Sequence, residues 1–131
     1  MATSPERAFL RVRCARLEDR AAIGRVAFEL AHRLGFDQRA CWEIGIVVQE
    51  LVSNLVRHAS GGYLELQTDP QYLEVTAIDK GPGIPSAVLV ATEHSQHGLG
   101  AIRRLMHKLE VSSPPEGGTR IVVRRELGRR L

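Results

Sequence analysis

Tyr72-Leu-Glu-Val-Thr-Ala-Ile-Asp-Lys-Gly-Pro-Gly83 runs a strand pattern straight into a glycine turn. Leu73, Val75 and Ala77 alternate with polar or smaller partners, which places them on one face of a strand over Tyr72–Asp79. Asp79 continues that parity, so its carboxylate points to the core side. A carboxylate there needs donors, because burying it unpaired is expensive. Gly81 and Gly83 follow at once, and glycine lets a ligand approach the backbone closely. A strand-end carboxylate beside a glycine turn suits the exocyclic amine of adenine. The same residues also make an ordinary turn after a strand.

Working outward, Tyr63–Asp69 reads as a second strand, joined to the first through Pro70-Gln71 with Leu64 and Leu66 on one face. Two helices precede it. Residues 16–34 have apolar residues at helical spacing up to Gly35, which suits a C-cap. Asp37 is placed as the N-cap of a helix running to about Ala59, with Ile44, Val48, Leu51 and Leu55 as its core stripe. Gly61-Gly62 ends it. Phe9–Cys14 alternates like a strand. Downstream, residues 81–98 read as a loop with a short helix at Ala87–Ala91. A helix over Leu99–Lys108 follows, then a hairpin of Leu109–Ser113 and Thr119–Glu126. The order predicts an α+β fold: a two-layer sandwich with a mixed, mainly antiparallel sheet and helices on one face.

Glu50 and Asn54 lie one turn apart on the second helix, with Arg57 and His58 one turn further, all on one side away from the core stripe. An amide oxygen is a hard ligand for Mg²⁺, and a glutamate can orient or deprotonate an attacking hydroxyl. An exposed polar helix face has the same pattern. Gly98-Leu-Gly100 stands before a helix, where free N–H groups bind anions, although glycine before a helix is common. Thr119 shares parity with Ile121 and Val123, so its hydroxyl points inward and can complete a base site beside Asp79. A structural threonine has the same signature. His94 and His97 have spacing that could bind a metal, but no Cys or acidic partner completes a set, so they read as loop polar groups. Trp42 reads as packing.

Composition bounds the rest. At 131 residues, 44% hydrophobic and 25% charged, the chain fits one globular domain with a real core. No apolar run approaches a membrane span, and the polar N-terminus lacks a signal-peptide core. Cys14 and Cys41 have no metal-ligand spacing and read as reduced thiols of a cytoplasmic protein. The net charge is +3, but Arg120, Arg124, Arg125, Arg129 and Arg130 against Glu126 put +4 in the last twelve residues, leaving −1 for the remainder. That tail reads as a solvated strand and frayed end, though such a cluster can also touch nucleic acid or an acidic partner. Six aromatic residues form no stacking platform, so nucleic-acid readout is not expected.

Taken together, Glu50-x-x-x-Asn54 with Arg57-His58-Ala59, Asp79-x-Gly81-x-Gly83, Gly98-Leu-Gly100 and Gly117-Gly-Thr119 resemble the four boxes of the Bergerat-type (GHKL) ATPase and kinase superfamily, over essentially the whole chain as one domain, 1–131. The narrower likeness is to the small anti-sigma-factor and switch serine/threonine kinases, nearest the RsbT-type stressosome kinases. Gly81-Pro-Gly-Ile-Pro85, Ala101-Ile-Arg-Arg-Leu-Met106 and Val111–Thr119 carry it. The resemblance implies ATP and Mg²⁺ as cofactors. It implies Glu50 as the base, Asn54 as the metal ligand, and Asp79 as the partner of the adenine amine. Gly81, Gly83 and Ile84 would shape the base pocket, Gly98 and Gly100 the phosphate cradle, and Thr119 would close the base site. It further implies a STAS-domain partner (substrate, scaffold or antagonist). Some members of the family also bind a sigma factor or activate a phosphatase. A homodimer is left open with the oligomeric state, and composition gives no reason to expect nucleic acid or a membrane as partner. In this chain the interval from Gly83 to Gly98 is short, and His94 and Gln96 stand where the family has glycines. A nucleotide-binding anti-sigma or partner-switching module with little kinase activity is the other reading.

Overall fold

The computed structural model describes residues 7–79, 81–93 and 98–131. Strand β1 spans Phe9–Cys14, and a short 3-10 turn at Leu17–Asp19 leads into α1, Arg20–Leu34. Gly35 closes α1 in the left-handed conformation, its N–H donating to the Ala31 and His32 carbonyls. Helix α2, Gln38–His58, opens on Asp37, whose side chain accepts from the Ala40 N–H at 2.8 Å, a cap worth about 1 kcal/mol. Strands β2 (Gly62–Asp69) and β3 (Tyr72–Asp79) form a hairpin whose turn is held by the Gln71 N–H donating to Asp69 Oδ1 at 3.0 Å.

Helix α3 covers Ser86–Glu93, longer than the expected Ala87–Ala91. Pro85 fixes its entry, with its carbonyl accepting from the Val88 and Leu89 N–H groups. Helix α4, Leu99–Leu105, is shorter than expected. The chain turns extended at Met106, and the His107 N–H donates to the Arg124 carbonyl at 2.8 Å. Sheet pairing from a distant strand thus overrides the local helical pattern of residues 106–108. Strand β4 is Lys108–Ser112 and β5 is Thr119–Glu126.

The sheet order is β1-β2-β3-β5-β4, and all four pairings are antiparallel, so the sheet is uniform rather than mixed. The fold is α+β, with the helices packed on the sheet. Leu64, Leu66, Leu73, Val75, Ala77, Ile121 and Val123 point to the helical layer and are buried against Ile44, Val48, Leu51 and Leu55 of α2. The other face is polar. There Arg124 pairs with Glu74 at 2.7 Å and lies over the Tyr72 ring, while Arg11 stacks on Tyr63. Three arginines of the expected solvated tail, Arg124, Arg125 and Arg129, are held in ion pairs with Glu74, Glu43 and Glu126.

At the join of α2 and β2, Gly62 is packed so tightly that a Cβ would lie 2.2 Å from the Ile78 carbonyl oxygen. Gly62 is therefore the first strand residue rather than part of the helix stop, which falls at Ser60-Gly61 with both at positive φ.

Candidate active site

Register places Asp79 directly opposite Thr119 across β3 and β5. Both point inward, as their parity requires, and each is 3% exposed. Asp79 Oδ1 accepts from the Gly81 N–H at 2.9 Å. Asp79 Oδ2 is buried with no hydrogen-bond partner, alone among the side-chain atoms of the described residues. A buried acceptor without a donor is costly, so the pocket is complementary to a ligand that brings one. Thr119 Oγ1 accepts from the Ile84 N–H at 2.8 Å, which leaves its hydroxyl proton to donate elsewhere. An acceptor and a donor thus stand side by side on one rim, the pairing that the edge of an adenine ring needs.

The glycine turn makes this rim possible. Gly83 has φ +84°, and a Cβ there would sit 3.0 Å from Thr119 Oγ1 and 3.1 Å from the Gly118 carbonyl carbon. Only a residue without a side chain lets the turn lie against the start of β5 and deliver the Ile84 N–H to Thr119. Ile84 itself is buried in the core. Two clefts open on Asp79. One of about 240 Å³ is shared with Gly81, Pro82, Ala59 and Cys14, and one of about 340 Å³ with Ile78, Pro114 and Gly117. Burial pushes the Cys14 thiol up to about 11, so it is a neutral wall rather than a nucleophile. A larger cleft of about 510 Å³ lies between α1 and α2, lined by Phe28, Trp42, Ile46 and Gln49, and includes none of the expected site residues. Trp42 is 58% exposed beside it, touching the Phe28 ring edge-on rather than packing inside.

The second group sits on α2. Asn54 is 7% exposed and Glu50 half-buried, while Arg57 and His58 face solvent. The expected polar side is therefore divided. Its middle is covered, because α2 is the central helix of its layer, with the sheet beneath and α1 and α4 against it. A carboxamide at such a position has an oxygen suited to a hard cation, with the Glu50 carboxylate one turn away. Among the described residues no group of three His, Cys, Asp or Glu is placed to hold a metal ion.

Gly98 precedes α4 at φ +63°, and Gly98, Leu99 and Gly100 are buried. The structure brings Asp79, Gly81, Ile84 and Thr119 together through hydrogen bonds and strand pairing, with Gly83 lying close against Thr119. Glu50 and Asn54 stand apart from that cluster on α2, the helix that packs on β3, and Gly98 and Gly100 stand at the start of α4, which packs on α2. Lys80, His94, Ser95, Gln96 and His97 lie outside the described residues.

Sequence reasoning passed over one buried charge. Arg125 was counted in the tail, yet it is 8% exposed on the inner face of β5. It continues the parity of Thr119, Ile121 and Val123, which was the signal available.

Comparison with curated proteins returns no match. A family model of the histidine kinase-like ATPase domain matches residues 14–125, spanning every element from the end of β1 into β5. ATP binding and kinase-like chemistry go with that family, and the orphaned Asp79 oxygen, the Thr119 donor and the Gly83 turn are chemically compatible with a purine. The chain belongs to the histidine kinase-like ATPase domain family.

Proposed function

We propose that this protein is an ATP- and Mg²⁺-dependent serine/threonine kinase that phosphorylates a STAS-domain partner in a bacterial stress-signalling pathway of the stressosome or partner-switching kind. The observation that carries the nucleotide part is the buried, unpartnered Asp79 Oδ2 beside the Thr119 hydroxyl. Asp79 accepts from the adenine amine, Thr119 closes the base site, and Gly81, Gly83 and Ile84 shape it. Gly98 and Gly100 keep the start of α4 free of side chains on the phosphate side. Asn54 supplies the protein oxygen for Mg²⁺, which when bound neutralises charge on the phosphates. Glu50 accepts the proton of the substrate hydroxyl as its oxygen bonds to the γ-phosphorus and the bond to the departing ADP oxygen breaks. Catalysis is mostly positioning and charge neutralisation.

One observation favours a second reading. Helix α4 has only seven residues, which gives a small anchor for phosphate, and a nucleotide-binding partner switch with little transfer needs no more. Incubation with Mg-ATP and a STAS-domain protein encoded beside it separates the two. A kinase yields acid-stable phosphoserine or phosphothreonine, and Glu50→Ala lowers that rate by about 10²-fold or more while keeping the ATP-induced rise in melting temperature. Normal STAS binding with no phosphate transfer by the wild type sinks the kinase reading and leaves the switch.

A further inference from the structure

Arg125 ties three elements together. It stands on the inner face of β5, where its neighbours in parity are Thr119, Ile121 and Val123. Its Nη1 donates to the carbonyl of Leu105, the last residue of α4, at 2.9 Å. Its Nη2 donates to Glu43 Oε1 on α2 at 3.2 Å. The Leu105 carbonyl is one that a helix end leaves without an intrahelical partner, and a cation there also suits the helix dipole. A guanidinium presents its donors in a rigid plane, so two bonds to two elements fix their relative orientation as well as their distance.

The α2 end of the tie is on a telling face. Glu43 precedes Glu50 by seven residues and Asn54 by eleven, each within about 20° of whole turns. All three therefore project along one side of α2. The α4 end is equally placed: seven residues before helix end Leu105 the chain passes Gly98, then Leu99 and Gly100. A helix this short is not stable by its own hydrogen bonds, so its pose is set by tertiary contacts. Those contacts include the buried Leu99 and Ile102 near its start and Arg125 at its end. A buried ion pair is a poor source of stability, since apolar replacements are often as good. What it gives here is direction.

We propose that Arg125, seated on Glu43, is a positioning residue that sets α4 against the α2 face carrying Glu50 and Asn54, and so holds Gly98–Gly100 in place for the nucleotide phosphates. The inference rests on the nucleotide reading above. Arg125 touches neither base nor phosphate. It acts through α4.

The test compares wild type with Arg125→Met, Arg125→Lys and Glu43→Gln, each studied well below its own melting temperature. Two quantities are read: amide hydrogen exchange within α4 in the free protein, and the dissociation constant for Mg-ATP. Arg125→Met should speed exchange in α4 at least tenfold while β3 and α2 stay protected, and should weaken Mg-ATP at least tenfold. Arg125→Lys, with one point charge in place of the fork, should recover only part of either. Glu43→Gln, which keeps an acceptor oxygen, should fall between wild type and Arg125→Met, and it serves if Arg125→Met does not fold. Loss of melting temperature with unchanged Mg-ATP affinity and unchanged α4 exchange overturns the proposal, as that is the signature of an ordinary ion pair. Faster α4 exchange with unchanged affinity overturns it too. Failure of the wild type itself to bind Mg-ATP is the failure of the nucleotide reading, and is seen before any variant is made.

Discussion

Asp79 is pulled in two directions. Its Oδ1 is satisfied by the Gly81 N–H, while its Oδ2 is buried without a donor, and such a group costs about 1–3 kcal/mol. Asp79→Asn keeps the Oδ1 acceptor, removes the charge and puts an amide nitrogen in the orphan's place. The free protein is expected to melt a few degrees higher, and the rise in melting temperature caused by ATP or ADP is expected to disappear. A lower melting temperature in the free variant would mean that the carboxylate is already compensated. The inward aim of Asp79 was legible, because it follows from strand parity alone. The state of its second oxygen was not. That depends on which backbone N–H groups the Gly81–Gly83 turn delivers, and where Thr119 lies across the sheet, and neither is local to the sequence around residue 79.

At the level of elements, the strands and the first two helices were legible almost to their ends. β1, β3 and β5 occupy the residues that alternation marks, and Asp37 and Gly35 cap α2 and α1 as their residue types suggest. What local pattern missed was the length of α4. Residues 106–108 carry helix-compatible side chains, but the pairing of Lys108 with Arg124 and the His107 N–H bond to the Arg124 carbonyl claim them for the sheet. The start of β2 was missed for the same reason. Gly62 looks like the second half of a helix stop, yet it is the residue whose missing side chain lets β2 close on β3. Gly62→Ala should therefore open the Tyr63–Ile78 end of that pairing, since a Cβ would meet the Ile78 oxygen at 2.2 Å. The expected loss is about 3 kcal/mol, at the upper end for overpacking, read as a lowered urea midpoint with an unchanged slope. A loss below about 0.5 kcal/mol, the range of surface changes, would show that the strand end shifts freely.

For the whole molecule, the buried thiols make a pH dependence. Cys14 is raised from 9.0 to about 11 by burial, and burial raises Cys41 as well. The unfolded chain loses these protons near pH 9, while the folded one retains that of Cys14 to about 11. The stabilising contribution is thus fully present below pH 9 and lost as pH rises through 11, and Cys14 accounts for about 2–3 kcal/mol of the loss. Denaturation series at pH 8, 9.5 and 11 should show wild type losing more stability than Cys14→Ala. Parallel curves would place the alkaline loss elsewhere. One further property follows from the lone tryptophan. Trp42 is already largely in water, at the mouth of the α1/α2 cleft, and twelve residues of helix, about 18 Å of rise, separate it from Asn54. Its fluorescence is consequently a poor reporter of unfolding and nearly blind to nucleotide. A blue shift in its emission would instead signal that something has come to rest on the α1/α2 surface, which gives this protein a built-in optical sensor for contacts remote from its active site.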